Sequence, residues 1–401
     1  MYFDRADAVL YFSYATGWAR MQEPVNLAIF IDDLGVGGTQ NWLSLLVPAL
    51  AARGFAMRVY SMRAISHPEI VGRLTPYAKV AIIGEGRLWA GTGLLYLMRE
   101  LRTWPAQVVQ TALPTSDMIG RTLASLTGVP AIFSSIRGRN VDKPGWQRWL
   151  DRRTAHLARS VVFNDREAVP FAIRHEGVLP DQVVYIPNGV SITPARRSSA
   201  DIRRELQTAP EATVIATVAR LHPSKGQQYL LRAFRLVRER YPGAVLWLIG
   251  DGECRAALER EADELGIAAS VRFAGTRRDV RDILGAVDLF ALPSVWEGMP
   301  NALMEAMAAG RPVVASSTDA IGELVIHGET GWLVRPGDAE DLARCMMDIL
   351  ADPSRAASIG QAGLRYVREH FSLERMADAY ATLYRDGLQR HEPQAEAPVP
   401  R

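Results

Sequence analysis

Two glutamates, Glu297 and Glu305, stand eight residues apart in the run PSVWEGMPNALMEAMAAG (293–310), on either side of a Gly-Met-Pro turn. Pro300 suits a first helical position, which predicts a helix that starts near residues 299–301 and stops at Gly310. On one helix the two carboxylates would point about 80° apart at 100° per residue, so they would share no face. Glu297 is better placed in the loop ahead of the helix, with Glu305 more than a turn inside it. The unpaired N–H groups within residues 298–301, where only Pro300 has none, then lie between the two acids. The result is an acceptor, an anion nest and a second acceptor, spread over roughly 12 Å at 1.5 Å per residue. Solvated helix charges are the plain alternative, but loop, proline, helix and glycine stop all agree with the first reading.

An anion nest gains from cations nearby. The apolar run TVIATVAR (213–220) ends in Arg220, and Lys225 stands at the mouth of the next helical stretch. The chain has only three lysines, Lys79, Lys143 and Lys225, and uses arginine almost everywhere else, so a compact ammonium suits this place. An Arg and a Lys at a strand end can neutralise a diphosphate as it departs; two solvated surface cations would be spelled the same way. Gly250 sits in a further strand-end turn, LIGDGE (248–253), and the first strand runs into DDLGVGGTQ (32–40) with Gly37 and Gly38. Such turns let a backbone approach a phosphate or sugar closely, and a tight turn needing glycine explains them equally. The dinucleotide fingerprint fails here, because Gln40 stands where its third glycine belongs. Asp32 and Asp33 are adjacent, so no Asp-x-Asp pair suggests a metal, and one or both could simply cap the loop. Hydroxyls, a diphosphate and a ribose diol, in that order, are what a nucleotide-sugar would offer to these groups.

These residues need elements to hold them. Short Val/Ile/Leu runs recur between helix-length segments: VNLAIFI (25–31), AMRVYSM (56–62), VAIIG (80–84), VVQ (108–110), PAIFSSI (130–136), SVVFN (160–164) and VVYIP (183–187). The pattern restarts with TVIATVAR, AVLWLIG (244–250), VRFAG (271–275), LFALP (289–293), PVVAS (312–316) and GWLV (331–334). Runs of this kind are strands buried on both faces, so the fold class is α/β with two parallel sheets, and ligands belong at the strands' carboxyl ends. We expect an extension at 1–20, a first domain at 21–190, a second at 191–365, a returning helix at 366–390 and a disordered tail at 391–401. The net charge of +2 with scattered basic residues speaks against a nucleic-acid partner. Cys254 and Cys345 are far apart, so neither a disulfide framework nor a zinc site is expected, and a reducing cytoplasm fits. No run reaches the ~18 apolar residues of a membrane span.

The run EGMPNALMEAMAAGRPVVAS resembles the E-x7-E signature of glycosyltransferase family 4, and the likeness extends over about residues 25–390 through GVGGTQ, PNGV (187–190), VAR…KG, IGDGE, VRFAG and FSLERMADAYATLY (371–384). The resemblance implies a GT-B fold, two Rossmann-like doubly wound domains facing across a cleft, and a retaining, metal-independent hexosyl transfer without a cofactor. The donor would be a UDP- or GDP-sugar. By position, Arg220 and Lys225 would hold its diphosphate, Glu297 its sugar hydroxyls and Glu305 its ribose diol. Backbone amides of Gly298, Met299, Pro300 and Asn301 would border phosphate and sugar, with Gly37, Gly38 and Gly250 alongside, and Phe273 and Gly275 near the base. Many relatives carry a histidine after the fourth strand; this chain reads TALPTSDMIG (111–120), leaving Thr115, Ser116 and Asp117, with Arg137 and Arg139 as an acceptor-loop substitute. The acceptor would be a glycan or a lipid-linked saccharide in bacterial polysaccharide or glycolipid assembly. Trp, Leu and Arg at helical spacing in 87–104 and 145–159 suit either an anionic membrane surface or ordinary core helices with snorkelling arginines. A sugar-nucleotide epimerase and a non-catalytic nucleotide-sugar binder are the competing classes.

Overall fold

Apolar runs without polar alternation are stable strands only when helices cover both faces. The computed structural model describes residues 23–138 and 143–389, and within them each run pairs in parallel. The extension at 1–20, the tail at 391–401 and Arg139 lie outside the described residues. The first sheet contains β1 (Val25–Ile31), β2 (Phe55–Ser61), β3 (Ala78–Ile82), β4 (Val108–Ala112), β5 (Ala131–Ile136), β6 (Ser160–Phe163) and β7 (Val183–Tyr185), in the order β3-β2-β1-β4-β5-β6-β7. The second contains β8 (Val214–Val218), β9 (Val245–Ile249), β10 (Val271–Gly275), β11 (Leu289–Leu292), β12 (Val313–Ser316) and β13 (Trp332–Val334), in the order β10-β9-β8-β11-β12-β13.

β1 shows how the pattern is used. Leu27, Ile29 and Ile31 enter the core beneath the helix Gly38–Ala51, while Ala28 and Phe30 enter the one beneath the helix Thr92–Thr103. Both faces are therefore dry, which is why no polar residue interrupts the strand after Asn26. Each sheet reverses its strand order once, between β1 and β4 and between β8 and β11, so each has a crevice at its carboxyl edge where a ligand fits.

The chain crosses between the halves twice, and the crossings lie side by side. Val190 N–H donates to the Phe371 carbonyl at 2.9 Å and Leu373 N–H to the Val190 carbonyl at 3.1 Å. The helix Pro353–His370 stays with the second half, so the returning helix begins at Leu373, later than the 366 expected. That helix, Leu373–Gln389, lays Met376, Tyr380 and Tyr384 into the first core, and Tyr384 Oη donates to Gln110 Oε1 at 2.8 Å. Among the described residues no helix is long and apolar enough to cross a membrane.

Candidate functional site

The turns after β8, β9 and β11 are locked into one another. Gly226 has φ +66, and a Cβ there would lie 2.1 Å from the Pro293 carbonyl oxygen, so only glycine lets the Lys225 turn press against the end of β11. At Gly250, φ is +133 and a Cβ would meet the Ala219 carbonyl at 2.0 Å; its N–H donates to the Gly275 carbonyl at 2.8 Å. Val295 N–H donates to the Ser224 carbonyl at 2.8 Å and completes the weave.

Its consequence is a specific ion pair. Lys225 Nζ donates to Glu297 Oε2 at 2.7 Å, and Ser294 Oγ donates to Glu297 Oε1 at 2.7 Å. Glu297 is only 6% exposed, so these two donors stand in for the water it has lost. Arg220 does not join them. Its Nη2 donates outward to Glu253 Oε2 at 3.0 Å, and both side chains remain largely in solvent.

The helix that follows spans Asn301–Ala308, with Pro300 as its N-cap in an extended conformation, φ −80 and ψ 95, instead of as its first residue. Glu297 therefore precedes the helix by a full loop, and Glu305 lies inside it. Glu305 opens into a cavity of about 860 Å³ between the halves, whose walls include Gly37, Trp42, Asn188, Arg281 and Asn301. Among the described residues its carboxylate makes no hydrogen bond. Burial pushes its pKa up to about 7, against the pull of Arg281 and Arg73. Lys225, Glu297 and Arg220 are not part of the cavity wall, so the helix start stands between two sets of polar groups.

Across the cleft, a Cβ on Gly38 would lie 3.8 Å from Asn301 Nδ2, and Gly298 similarly faces Asp165 of the first half, where a Cβ on the glycine would lie 3.5 Å from Asp165 Oδ2. Asn188 Nδ2 donates to Asn301 Oδ1 at 2.7 Å. Phe273 is half-buried, with the Arg255 guanidinium 5.9 Å from its ring centre, and Gly275 closes β10 just before the cavity-lining residues Thr276 and Arg277.

The first half spends its acids internally. Asp32 caps the helix Pro114–Leu126, accepting from Ser116 N–H and Ser116 Oγ, each at 2.7 Å, and from Thr115 N–H at 3.2 Å. Asp33 caps its own loop through Gly35 N–H and Gln40 Nε2. Asp117 points into the interior, where it accepts from Thr111 Oγ1, and burial pushes its pKa up to about 7. Thr115 is half-buried beside it. The Arg137 guanidinium lies 4.2 Å from the Trp42 ring centre and donates to Asn188 Oδ1. Among the described residues no group of His, Cys, Asp and Glu is arranged to hold a metal ion.

Sequence reasoning did not single out Ser294, Asn188 or Arg281. Asn188 had a signal, the Pro-Asn-Gly that ends the first half, but Asn before Gly is also ordinary turn chemistry.

Family models match both halves: one described as Glycosyltransferase Family 4 over residues 36–193, and one described as Glycosyl transferases group 1 over residues 212–352. The chain is 38% identical over 181 residues to the lipopolysaccharide core biosynthesis glycosyltransferase LpsE of Rhizobium meliloti (strain 1021), a match covering 45% of this chain and 52% of that one. It is 33% identical over 270 residues to the GDP-mannose-dependent alpha-(1-6)-phosphatidylinositol monomannoside mannosyltransferase of Mycolicibacterium smegmatis (strain ATCC 700084 / mc(2)155), covering 62% of this chain and 68% of that one. The chain thus spans about half the length of the first relative and about two thirds of the second. Anabaena HepE, crystallised in complex with UDP and glucose, superposes with a TM-score of 0.77 at 21% identity over 90% of this chain and 99% of its own, and shares the GT-B fold expected from the resemblance.

Proposed function

Because this chain belongs to glycosyltransferase family 4, we propose that it moves a sugar from a nucleotide-diphosphate donor to a glycan or lipid-linked acceptor in bacterial glycan or glycolipid assembly. The observation that carries the proposal is the Lys225–Glu297 pair, 2.7 Å apart at the foot of the loop that opens the helix Asn301–Ala308. A donor sugar divides that pair usefully. Its hydroxyls donate to Glu297, and Lys225 turns to a phosphate oxygen. The N–H groups of Gly298, Met299 and Asn301 and the helix start favour the negative charge that grows on the diphosphate as it leaves. Glu305, without a hydrogen-bonding partner among the described residues, takes the ribose diol, and the loop after Gly275 borders the base.

The bond from the sugar's anomeric carbon to the diphosphate breaks while the bond to the acceptor oxygen forms on the same face. The acceptor's proton passes to the departing diphosphate, so configuration is retained without a protein nucleophile. The chain's part is positioning and charge stabilisation. Arg220 reaches the diphosphate by exchanging Glu253 for it, an inexpensive step because both side chains are solvated. On the acceptor side, Thr115 and Arg137 are the candidate contacts, while Asp117 supports the helix from within.

Membrane contact is part of the same reading. On the helix Gly145–Thr154, Trp146 and Trp149 are 52% and 56% exposed, with the Arg153 guanidinium 5.2 Å from the Trp149 ring centre and Arg152 exposed beside it. Amphipathic rings with arginines suit an anionic lipid surface that presents a lipid-linked acceptor. Co-sedimentation with phosphatidylglycerol vesicles at low salt checks this; binding equal to that of a Trp146→Ser, Trp149→Ser variant removes it.

The donor is tested by thermal denaturation with UDP-glucose and GDP-mannose, because a ligand bound only by the native state raises its midpoint. A rise with one of them, abolished by Glu297→Ala, is expected. No rise with any UDP- or GDP-sugar, together with no transfer to an extracted glycolipid acceptor, rejects the proposal.

A further inference from the structure

The donor reading places Asn301 at the diphosphate but leaves open which end of its amide faces the ligand. A chain of three side chains decides this. Arg137 Nη2 donates to Asn188 Oδ1, and the guanidinium is stacked on Trp42. Guanidinium has donors and no acceptor, and it keeps its charge at any working pH, so the amide that meets it must present oxygen. Asn164 Nδ2 faces the same oxygen at 3.4 Å and agrees with that orientation. The nitrogen end of Asn188 is thereby turned toward Asn301, where it donates to Oδ1 at 2.7 Å. With its oxygen taken, Asn301 directs Nδ2 at the Gly38 side of the cleft.

We propose that Arg137 and Asn188 are positioning residues that fix the polarity of Asn301, so that its amide nitrogen, and not its oxygen, meets the donor's phosphate oxygens. The inference rests on the donor reading above and deepens it. It also gives Arg137 a reason to be a cation: among the described residues the groups around it are neutral, Asn188, the Ser135 hydroxyl, Tyr380 and the Trp42 ring, so what it supplies is a fixed sign. Asn188 is buried, and its N–H donates to Met299 Sδ at 3.1 Å, so the relay also touches the loop between Glu297 and the helix.

The chain of amides makes an unusual prediction about two substitutions at one position. Asn188→Asp still accepts from Arg137, now as an ion pair, so its thermal midpoint stays at or above that of Asn188→Ala. Asp, however, has no donor. Asn301 must then turn its nitrogen to Asp and its oxygen to the phosphate, and affinity for UDP or GDP by calorimetry falls by about tenfold to a hundredfold, the range of a hydrogen bond to a charged group. Asn188→Ala leaves Asn301 free to choose and costs only a few-fold in affinity, although it unpairs Arg137 and lowers the midpoint.

Affinity in the order wild type, Ala, Asp, with stability ranking Asp above Ala, is expected. A merely structural role makes affinity follow stability, and that result overturns the inference. Asn301→Asp is the second variant: Asn188 can still donate to it, yet it offers only oxygen to the cleft, so it should lose affinity as Asn188→Asp does. Wild-type affinity in Asn301→Asp also overturns the inference. Wild-type protein that binds neither UDP nor GDP removes the donor reading and this inference together, whereas normal wild-type binding with unchanged variants removes this inference alone.

Discussion

Lys143 and Lys225 are both held by carboxylates, and they are held differently. Lys143 donates to Asp151 at 2.5 Å and to Glu176 at 2.9 Å; Arg121 adds a second contact to Asp151 at 2.8 Å, and all four side chains are at most 4% exposed. Lys225 has one carboxylate partner among the described residues, Glu297, and keeps about a quarter of its side chain in solvent. The first cluster is closed, with its charges satisfied by protein. The second is partly open, and in the function proposed above it exchanges partners with a ligand. The contrast extends to other acids: Asp32 and Asp117 of the first half are consumed by a helix start and a buried hydroxyl, whereas Glu297 of the second is paired with a partly exposed lysine and Glu305 lines the cavity. Under the proposed function, one fold plan, used twice, serves as wall in one half and as grip in the other.

The sharpest way to break this comparison is to remove each ammonium. Lys143→Met removes the buried ammonium that Asp151 and Glu176 share, and breaking a buried network costs about 3–5 kcal/mol of stability. Denaturant titration should show that loss, with nucleotide affinity of the folded fraction unchanged. Lys225→Ala should do the opposite. Ser294 still donates to Glu297, so stability falls by on the order of 1 kcal/mol. Transfer falls by about 10²–10³, as for loss of one group that stabilises transition-state charge. If Lys225→Ala unfolds the protein and Lys143→Met merely slows it, the two clusters have been assigned the wrong way round.

What the sequence made legible follows the same division. Strands buried on both faces announce themselves, so the runs from VNLAIFI to GWLV each became a strand, with ends shifted by a residue or two. Glu297, Lys225 and Arg220 were each legible from their strand ends, but not their pairing, because three-dimensional neighbours 72 residues apart carry no mutual mark. Arg220 was expected beside Lys225, yet the turn held by Gly226 sends Lys225 toward Pro293 while Arg220 faces the β9 turn and Glu253. Asp117 is polar and near the cleft loop, and only the phase of the helix Pro114–Leu126 turns it inward. Pro300 fits both an N-cap and a first helical residue, and its ψ of 95 selects the former.

A smaller effect separates Glu305 from Asp117, whose pKa values are both pushed up to about 7 by burial. In the unfolded chain they titrate near their ordinary values of 4.5 and 3.8, so between those and about 7 the unfolded state has released protons that the folded state keeps. Stability must therefore decline as pH rises through that window and level off above it. Glu305→Gln and Asp117→Asn should each remove part of the decline, by on the order of 1 kcal/mol for Glu305 at the cavity wall, where solvent tempers the penalty. Ligand tells them apart. In the proposed donor site a ribose diol donates to ionised Glu305, so UDP or GDP affinity should rise by about tenfold between pH 5.5 and 8, one pKa unit being worth about 1.36 kcal/mol. Glu305→Gln should flatten that rise, and Asp117→Asn should leave it intact, because Asp117 is bonded to Thr111 inside the wall. Equal flattening by both variants would mean that the two carboxyls share one environment, and the distinction between wall and grip would be lost.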